Sequence, residues 1–398
     1  MKIAHVINYF HSHMTYQETS LVKKQQEMGH QVLVITSDRY STGLKQLYKT
    51  KKERIVGYGE FIEGNIKVVR LPTLMEIGSR VFCLRLKKTL SDFSPEVVHC
   101  HDIFSFFFPF LTSLYKKVLG YHLIFDSHAA DFNTDARSNW LRRLSYALYR
   151  STARNLIKQR ADVIVAIGEN EQSFICREFG LTNNEVKIIR LGADKDIFQF
   201  DVNSRKNIRR YFGIQENELL IIHTGKLSPD KDVEVLIKAF IKVAEQFHQI
   251  KLLIIGAGEL NYVNYLKLIA NEGGFSHRII FHPFVKMSEL PGYYSAADLS
   301  VWPGNPTISI FEAMSVGLPI IVCDDPYHIA TLTNGNAFFF KRGSVDALAN
   351  FLVYSIPNDN LRKIMGEKSR ELIEKKFNWD TIASQFIKMY EGITCRDL

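Results

Sequence analysis

Leu299-Ser-Val-Trp-Pro-Gly-Asn-Pro-Thr-Ile-Ser-Ile-Phe-Glu-Ala-Met-Ser-Val-Gly-Leu-Pro-Ile-Ile-Val322 decides how this chain folds. An apolar strand ends at Trp302, a Pro/Gly/Asn loop follows, and a short helix opens near Thr307. That helix carries Glu312 one turn in and stops at Gly317; a second apolar strand starts after Pro319. A helix opening at the carboxyl end of a strand presents unpaired N–H groups and a positive dipole end, an anion site suited to a diphosphate. Glu312 is wrongly charged for phosphate itself, yet it can accept hydrogen bonds from ribose hydroxyls beside it. The plain alternative is an ordinary βαβ turn with a surface glutamate.

The same alternation runs through the chain. Lys2–Asn8 reads as a buried strand, Glu18–Met28 as a helix closed by Gly29-His30, and Gln31–Thr36 as the next strand. The pattern restarts at Leu219–Thr224, with a loop Gly225–Asp232, a helix Val233–Phe247 and a strand Lys251–Ile255. Near-continuous apolar strands alternating with helices mean parallel sheets covered on both faces. Two restarts predict an α/β protein of two doubly wound, Rossmann-like domains facing each other. The seam is placed in the polar stretch near Ile197–Arg209, giving domains at 1–198 and 199–376. The remainder, 377–398, holds a helix with its own aromatic face, expected to cross back to the first domain, although packing on the second is equally open.

Composition bounds the rest. A chain of 398 residues is too long for one ordinary core, and 46% hydrophobic with 12% aromatic residues excludes disorder. The net charge of +8 points to an anionic partner. No apolar run is long enough to cross a bilayer, and the first residues read as a strand rather than a signal peptide. Five scattered cysteines with no Cys-x-x-Cys pair favour free thiols and a cytoplasmic place.

Parallel sheets bind ligands at the carboxyl ends of their strands. After Leu219–Thr224 comes Gly225-Lys-Leu-Ser-Pro-Asp-Lys231, whose Lys226 and Lys231 would neutralise a diphosphate leaving group. Gly256-Ala-Gly258 follows the next strand, and His282-Pro-Phe-Val285 the third, where backbone beside Phe284 and Val285 can pinch a flat base. The fourth is the segment with Glu312. Taken singly, each also fits a plain loop; together they suit a nucleotide.

Further stretches complete a pattern: Glu27-Met-Gly-His-Gln-Val-Leu-Val-Ile-Thr-Ser37, Pro95-Glu-Val-Val-His-Cys-His-Asp102, Phe125-Asp-Ser-His128, Ile189-Arg-Leu-Gly-Ala-Asp194, Tyr293-Tyr-Ser-Ala-Ala-Asp-Leu299 and Phe311-Glu-Ala-Met-Ser-Val-Gly-Leu-Pro-Ile-Ile321. In this order, over nearly the whole chain, the set resembles the retaining GT-B glycosyltransferases, the large family (glycosyl transferases group 1, family 4) of bacterial mannosyl- and N-acetylglucosaminyltransferases and sucrose synthases. The resemblance implies an interdomain cleft, a nucleotide-diphosphate sugar as co-substrate, a glycan or lipid-linked acceptor, and no metal or other cofactor. It implies that Lys226 and Lys231 meet the diphosphate, that the amides of Ile308 and Ser309 meet phosphate, and that Glu312 holds the ribose. Gly225, Gly256, Gly258, Phe284 and Val285 would line the donor, and His128 would stand beside its sugar. Tyr16-Gln17-Glu18 falls on the acceptor side.

Three departures stand out. The family's Glu-x7-Glu motif has Gly304 at its first position, so Asn305 or Thr307 would have to serve the sugar. Lysine replaces the usual arginine at 226, which loses bidentate grip. The loop Tyr9–Glu18 lacks the usual paired glycines. An impaired nucleotide-sugar-binding homologue, or a GT-B epimerase, is the alternative. The His11/His13 and His99/His101 pairs suggest satisfied strand-end histidines before a metal site. The acid-free stretch Arg137–Arg160 reads either as a helix with a solvated basic face or as one lying on an anionic inner membrane surface. No nucleic-acid reader motif is present.

Overall fold

The computed structural model describes residues 1–14, 16–41, 53–78, 80–131 and 140–395. They form two compact units, one of Met1–Leu191 with Trp379–Leu398, the other of Gly192–Asn378. The divide precedes the polar stretch chosen from composition because residues 193–198 are tied to the second unit. The Ala193 N–H donates to the Phe377 carbonyl at 2.9 Å, and Ser315 Oγ donates to the Phe198 carbonyl at 2.8 Å.

Unit 1 runs β1 (Lys2–Val6), α1 (Gln17–Glu27), β2 (Gln31–Ser37), β3 (Gly59–Glu63), β4 (Ile66–Leu71), β5 (Thr73–Ile77), β6 (Arg80–Cys83), α2 (Leu86–Phe93), β7 (Val97–Cys100), α3 (Phe107–Leu119), β8 (His122–Ser127), α4 (Trp140–Arg160), β9 (Val163–Ala166), α5 (Glu169–Phe179) and β10 (Val186–Ile188). Its main sheet has the order β10-β9-β8-β7-β1-β2-β4-β3, and β5 pairs with β6 apart from it. Among the described residues only β3 is antiparallel within the main sheet. The central strands are buried on both faces, which is why they read as unbroken apolar runs.

Unit 2 runs α6 (Val202–Tyr211), β11 (Leu219–Thr224), α7 (Val233–Ala244), β12 (Ile250–Ile255), α8 (Leu260–Glu272), β13 (Ile279–His282), α9 (Leu290–Ala296), β14 (Leu299–Trp302), α10 (Ser309–Val316), β15 (Ile320–Cys323), α11 (Pro326–Thr331), β16 (Ala337–Phe340), α12 (Val345–Ser355) and α13 (Asp359–Lys375). Its sheet order is β13-β12-β11-β14-β15-β16, parallel throughout. Counted within the unit this is 3-2-1-4-5-6, the doubly wound Rossmann order, with its switch point between β11 and β14. In unit 1 the order reverses between β1 and β7.

The last helix, α14 (Trp379–Thr394), packs in unit 1. Its apolar stripe of Trp379, Ile382, Ala383, Phe386 and Tyr390 is buried. Asp380 pairs with Lys24 of α1 at 2.9 Å, and the Tyr390 hydroxyl lies 2.7 Å from His99 Nδ1.

Candidate active site

In unit 2 the loops after β11 and β14 flank the switch point, and their backbones touch. A Cβ on Gly304 would lie 2.4 Å from the Lys231 carbonyl carbon and 2.6 Å from the Asp230 oxygen. The place of the family's first motif glutamate is therefore filled by the Asp230–Lys231 turn, and no side chain fits there. Lys231 Nζ donates to the carbonyls of Asn305 and Pro306, each at 3.0 Å. Arg342, just past β16, binds the same two loops. Its guanidinium donates to Asp232 Oδ2 at 2.7 Å, to the Asp230 carbonyl at 3.0 Å and to Asn305 Oδ1 at 2.6 Å.

Three cations thus gather around one turn. Burial lowers the pKa of half-buried Lys231, and repulsion from Arg342 and Lys226 lowers it further against the pull of Asp230. Burial would raise the Asp230 carboxyl, but the Ser228 hydroxyl and the Lys231 charge outweigh it and keep it low. An added anion would relieve the mutual repulsion of these cations.

Helix α10 starts at Ser309 with Ile308 as its cap residue, and no side chain caps it. The amide of Ile310 is returned to the Thr307 carbonyl and that of Phe311 to Ile308, leaving the amides of Ile308 and Ser309 at the open end. Glu312 is only 4% exposed. Its Oε2 accepts from the Tyr294 hydroxyl at 3.1 Å, and that hydroxyl lies 2.7 Å from Thr224 Oγ1. Burial pushes the Glu312 carboxyl up to about 7, with the Tyr294 bond partly opposing it.

Other expected donor residues sit as follows. Gly225 has φ +148° in the glycine-favouring region. A Cβ on Gly256 would meet the Gly225 oxygen at 1.9 Å, and one on Gly258 the Leu227 oxygen at 1.8 Å. These glycines admit the neighbouring loop, which bonds back through Leu227 N–H to the Ala257 carbonyl at 2.9 Å. Close approach is needed, and protein backbone makes it. Lys226 is exposed, Thr307 half-buried, Val285 buried and Phe284 59% exposed. Asn305 is a correction: it is 2% exposed, with Oδ1 taken by Arg342, so it ties loops together and is not turned to a sugar.

In unit 1 the switch point opens on a cavity of about 460 Å³, lined among others by Tyr16, Glu18, Asp102, Asp126 and His128. Asp102 bends to φ +61°, which lets its N–H reach Asp126 Oδ1 at 3.0 Å. Gln17 is a second correction. It is 3% exposed and faces inward, with Nε2 3.2 Å from Asp126 Oδ2 and Oε1 2.5 Å from His128 Nε2. Behind it, His101 Nδ1 donates to Asp126 Oδ2 at 2.7 Å, and His101 Nε2 lies 2.9 Å from His5 Nδ1. His5 Nε2 reaches Gln25 Oε1 at 2.7 Å. Burial disfavours charge here, yet the Asp126 carboxylate raises His101, and His101 in turn holds Asp126 well below the usual carboxylate range. The histidine cluster among the described residues is His5, His99 and His101; His11 and His13 take no part. One imidazolium–carboxylate pair with neutral His5 donating to Gln25 satisfies the His5–His101–Asp126 chain without an ion.

The residues missed in the sequence are Arg342 and the Thr224–Tyr294 pair. Following the strand-end rule one strand further, to β16, would have reached Arg342. Nothing local marks Tyr294, whose hydroxyl matters only once β11 and α10 are neighbours.

The architecture and the site together define a glycosyltransferase of GT-B fold. The sequence profile Glycosyl transferases group 1 matches residues 204–372, and Glycosyltransferase Family 4 matches residues 19–197. The chain belongs to this family. It is 24% identical to an uncharacterized glycosyltransferase of Methanocaldococcus jannaschii, over 74% of this chain and 75% of that one. It is 23% identical to a GDP-mannose-dependent alpha-(1-6)-phosphatidylinositol monomannoside mannosyltransferase of Mycobacterium tuberculosis, over 58% of this chain and 62% of the relative. Among solved structures, HepE of Anabaena in complex with UDP aligns with a TM-score of 0.76 at 17% identity, covering 98% of this chain and all (100%) of that one.

Proposed function

We propose that the protein is a retaining glycosyltransferase that moves a sugar from a nucleotide-diphosphate sugar to an acceptor hydroxyl in glycan or cell-envelope synthesis. One observation carries this: Lys226, Lys231, the open amides of α10 and buried Glu312 converge at the switch point of unit 2, steadied by Arg342. The relatives' own ligands, UDP for HepE and GDP-mannose for the mycobacterial enzyme, support a nucleotide donor.

The diphosphate lies against the ammonium groups and the amides of Ile308 and Ser309, which stabilise the negative charge that grows as the glycosidic bond breaks. Glu312 accepts from the ribose hydroxyls. The acceptor hydroxyl attacks from the side the diphosphate leaves, and its proton passes to a departing phosphate oxygen, so configuration is kept. No divalent ion is required, because protein cations carry the compensating charge. The cavity of unit 1, with Glu18 and Asp102 as hydrogen-bond acceptors, receives a hydroxyl-bearing acceptor.

A lipid-linked acceptor and a peripheral place on the cytoplasmic membrane face fit the net charge of +8. In the described half of α4, Arg150 pairs with Glu178, while Arg154 and Lys158 cap the end of α5 through the carbonyls of Glu178 and Gly180. Positions 137–139, and the side chains of 140–146 and 148, lie outside what the structure describes.

The test is nucleotide release from a panel of UDP-, GDP- and ADP-sugars, with and without chelator, followed by anomeric analysis of the product. Release from one donor class that persists in chelator, with retained configuration, is expected. No release from any donor, strict metal dependence, or an inverted product would overturn the proposal.

A further inference from the structure

The side chain of Gln17 lies between two groups of opposite demand. On one side is Asp126, fully buried, which already takes the His101 Nδ1–H at 2.7 Å and the Asp102 N–H at 3.0 Å. On the other is His128, whose Nε2 lies 2.5 Å from the Gln17 side chain. A carboxylate ion can only accept hydrogen bonds, so the amide end facing it must be the NH2 group. The 3.2 Å contact from Gln17 Nε2 to Asp126 Oδ2 meets this requirement. Chemistry therefore fixes the orientation of an amide whose two ends are otherwise hard to tell apart.

The consequence passes to the imidazole. With its NH2 turned to Asp126, Gln17 offers only a carbonyl oxygen to His128, and an oxygen acceptor needs a hydrogen on Nε2. We propose that Gln17 is a positioning residue that reads the charge on Asp126 and holds His128 as the Nε2–H tautomer, with the lone pair on Nδ1. Burial strengthens the selection, because a flipped amide would set two oxygens against each other away from water. The His101 Nδ1–H behind Asp126, at 2.7 Å, favours the carboxylate form and so keeps the lock set.

The mechanistic consequence rests on the transferase reading: with its hydrogen on Nε2 committed to Gln17, His128 carries none on Nδ1 and cannot hand over a proton from that nitrogen. Gln17 itself does not line the cavity. Replacing it should change how His128 is presented without emptying the donor site.

The test is long-range ¹H–¹⁵N correlation on ¹⁵N-histidine-labelled full-length protein at alkaline pH, with the His128 signals assigned by their loss in His128→Asn. Wild-type protein should show both ring nitrogens at the limiting shifts of the pure Nε2–H form. Gln17→Leu should show averaged shifts from exchanging tautomers, with kcat down about tenfold and the donor KM little changed. Averaged shifts in the wild type, an Nδ1–H form, or unchanged shifts in Gln17→Leu would overturn the proposal. The wild-type spectrum decides even if the variant fails to fold. A pure Nε2–H signal in protein without transferase activity would uphold the lock while sinking the functional reading.

Discussion

Lys231 stands among carbonyls of the Asn305–Pro306 loop, with two further cations close enough to depress its pKa. An ammonium held in that way is already aimed, and reorganises little when a phosphate arrives. Lys231→Ala should lower turnover by about 10²–10³, as for loss of one oriented donor; near-normal transfer would remove Lys231 from the mechanism. Glu312 makes a prediction of opposite sign for stability and binding. Its folded pKa of about 7 lies above the ordinary value of 4.5. Stability from the protonated form is therefore complete below the ordinary value and is lost as pH rises through about 7, leaving a buried charge that costs up to about 3 kcal/mol. Glu312→Gln should raise the melting temperature at pH 8 and barely at pH 5, while weakening nucleotide binding. A variant less stable at both values would contradict the assigned environment. At Gly304, restoring the family's glutamate should not restore anything. Gly304→Glu and Gly304→Ala should each displace the Lys231 turn, costing about 1–3 kcal/mol in urea unfolding and most of the activity. A more active Gly304→Glu enzyme would show that the turn yields easily.

Elements explain which residues were readable in the sequence. Strand β11 is plain because it opens on the apolar run Leu219-Leu-Ile-Ile222 and is buried on both faces. Helix α10 was plain because a Pro/Gly/Asn loop precedes it and Gly317 ends it in the left-handed region at φ +91°. The role of Asn305 was not, since its amide answers to Arg342, separated from it along the chain and brought near only by the β14-β15-β16 pairing. The inward turn of Gln17 is hidden in the sequence for the same reason: its partners Asp126 and His128 arrive with β8. Pairing between adjacent parallel strands leaves no local trace, whereas burial and capping do. Helix α14 carries its own test. Tyr390 puts its hydroxyl on the buried ring of His99, so Tyr390→Phe should leave a buried nitrogen without that partner and cost about 1–3 kcal/mol. Denaturant unfolding with an unchanged midpoint would place water in that contact.

Across the molecule, the same layout appears twice. Each unit reverses its strand order once, and each reversal opens on polar side chains: Lys231, Glu312 and Arg342 in unit 2, and Asp126, His101 and His128 in unit 1. The doubly wound class was readable from apolar runs and their two restarts, and the positions of the site loops followed from the strand-end rule. The chemistry filling each loop was readable only where the residue acts from its own strand end. The central claim, that unit 2 grips a diphosphate at its switch point, is tested most directly by a crystal structure of the protein with a bound nucleoside diphosphate. The terminal phosphate should lie within hydrogen-bond reach of Lys231 Nζ and of the amides of Ile308 and Ser309, with the ribose on Glu312. A nucleotide bound elsewhere, or phosphates turned away from Lys231, would contradict it.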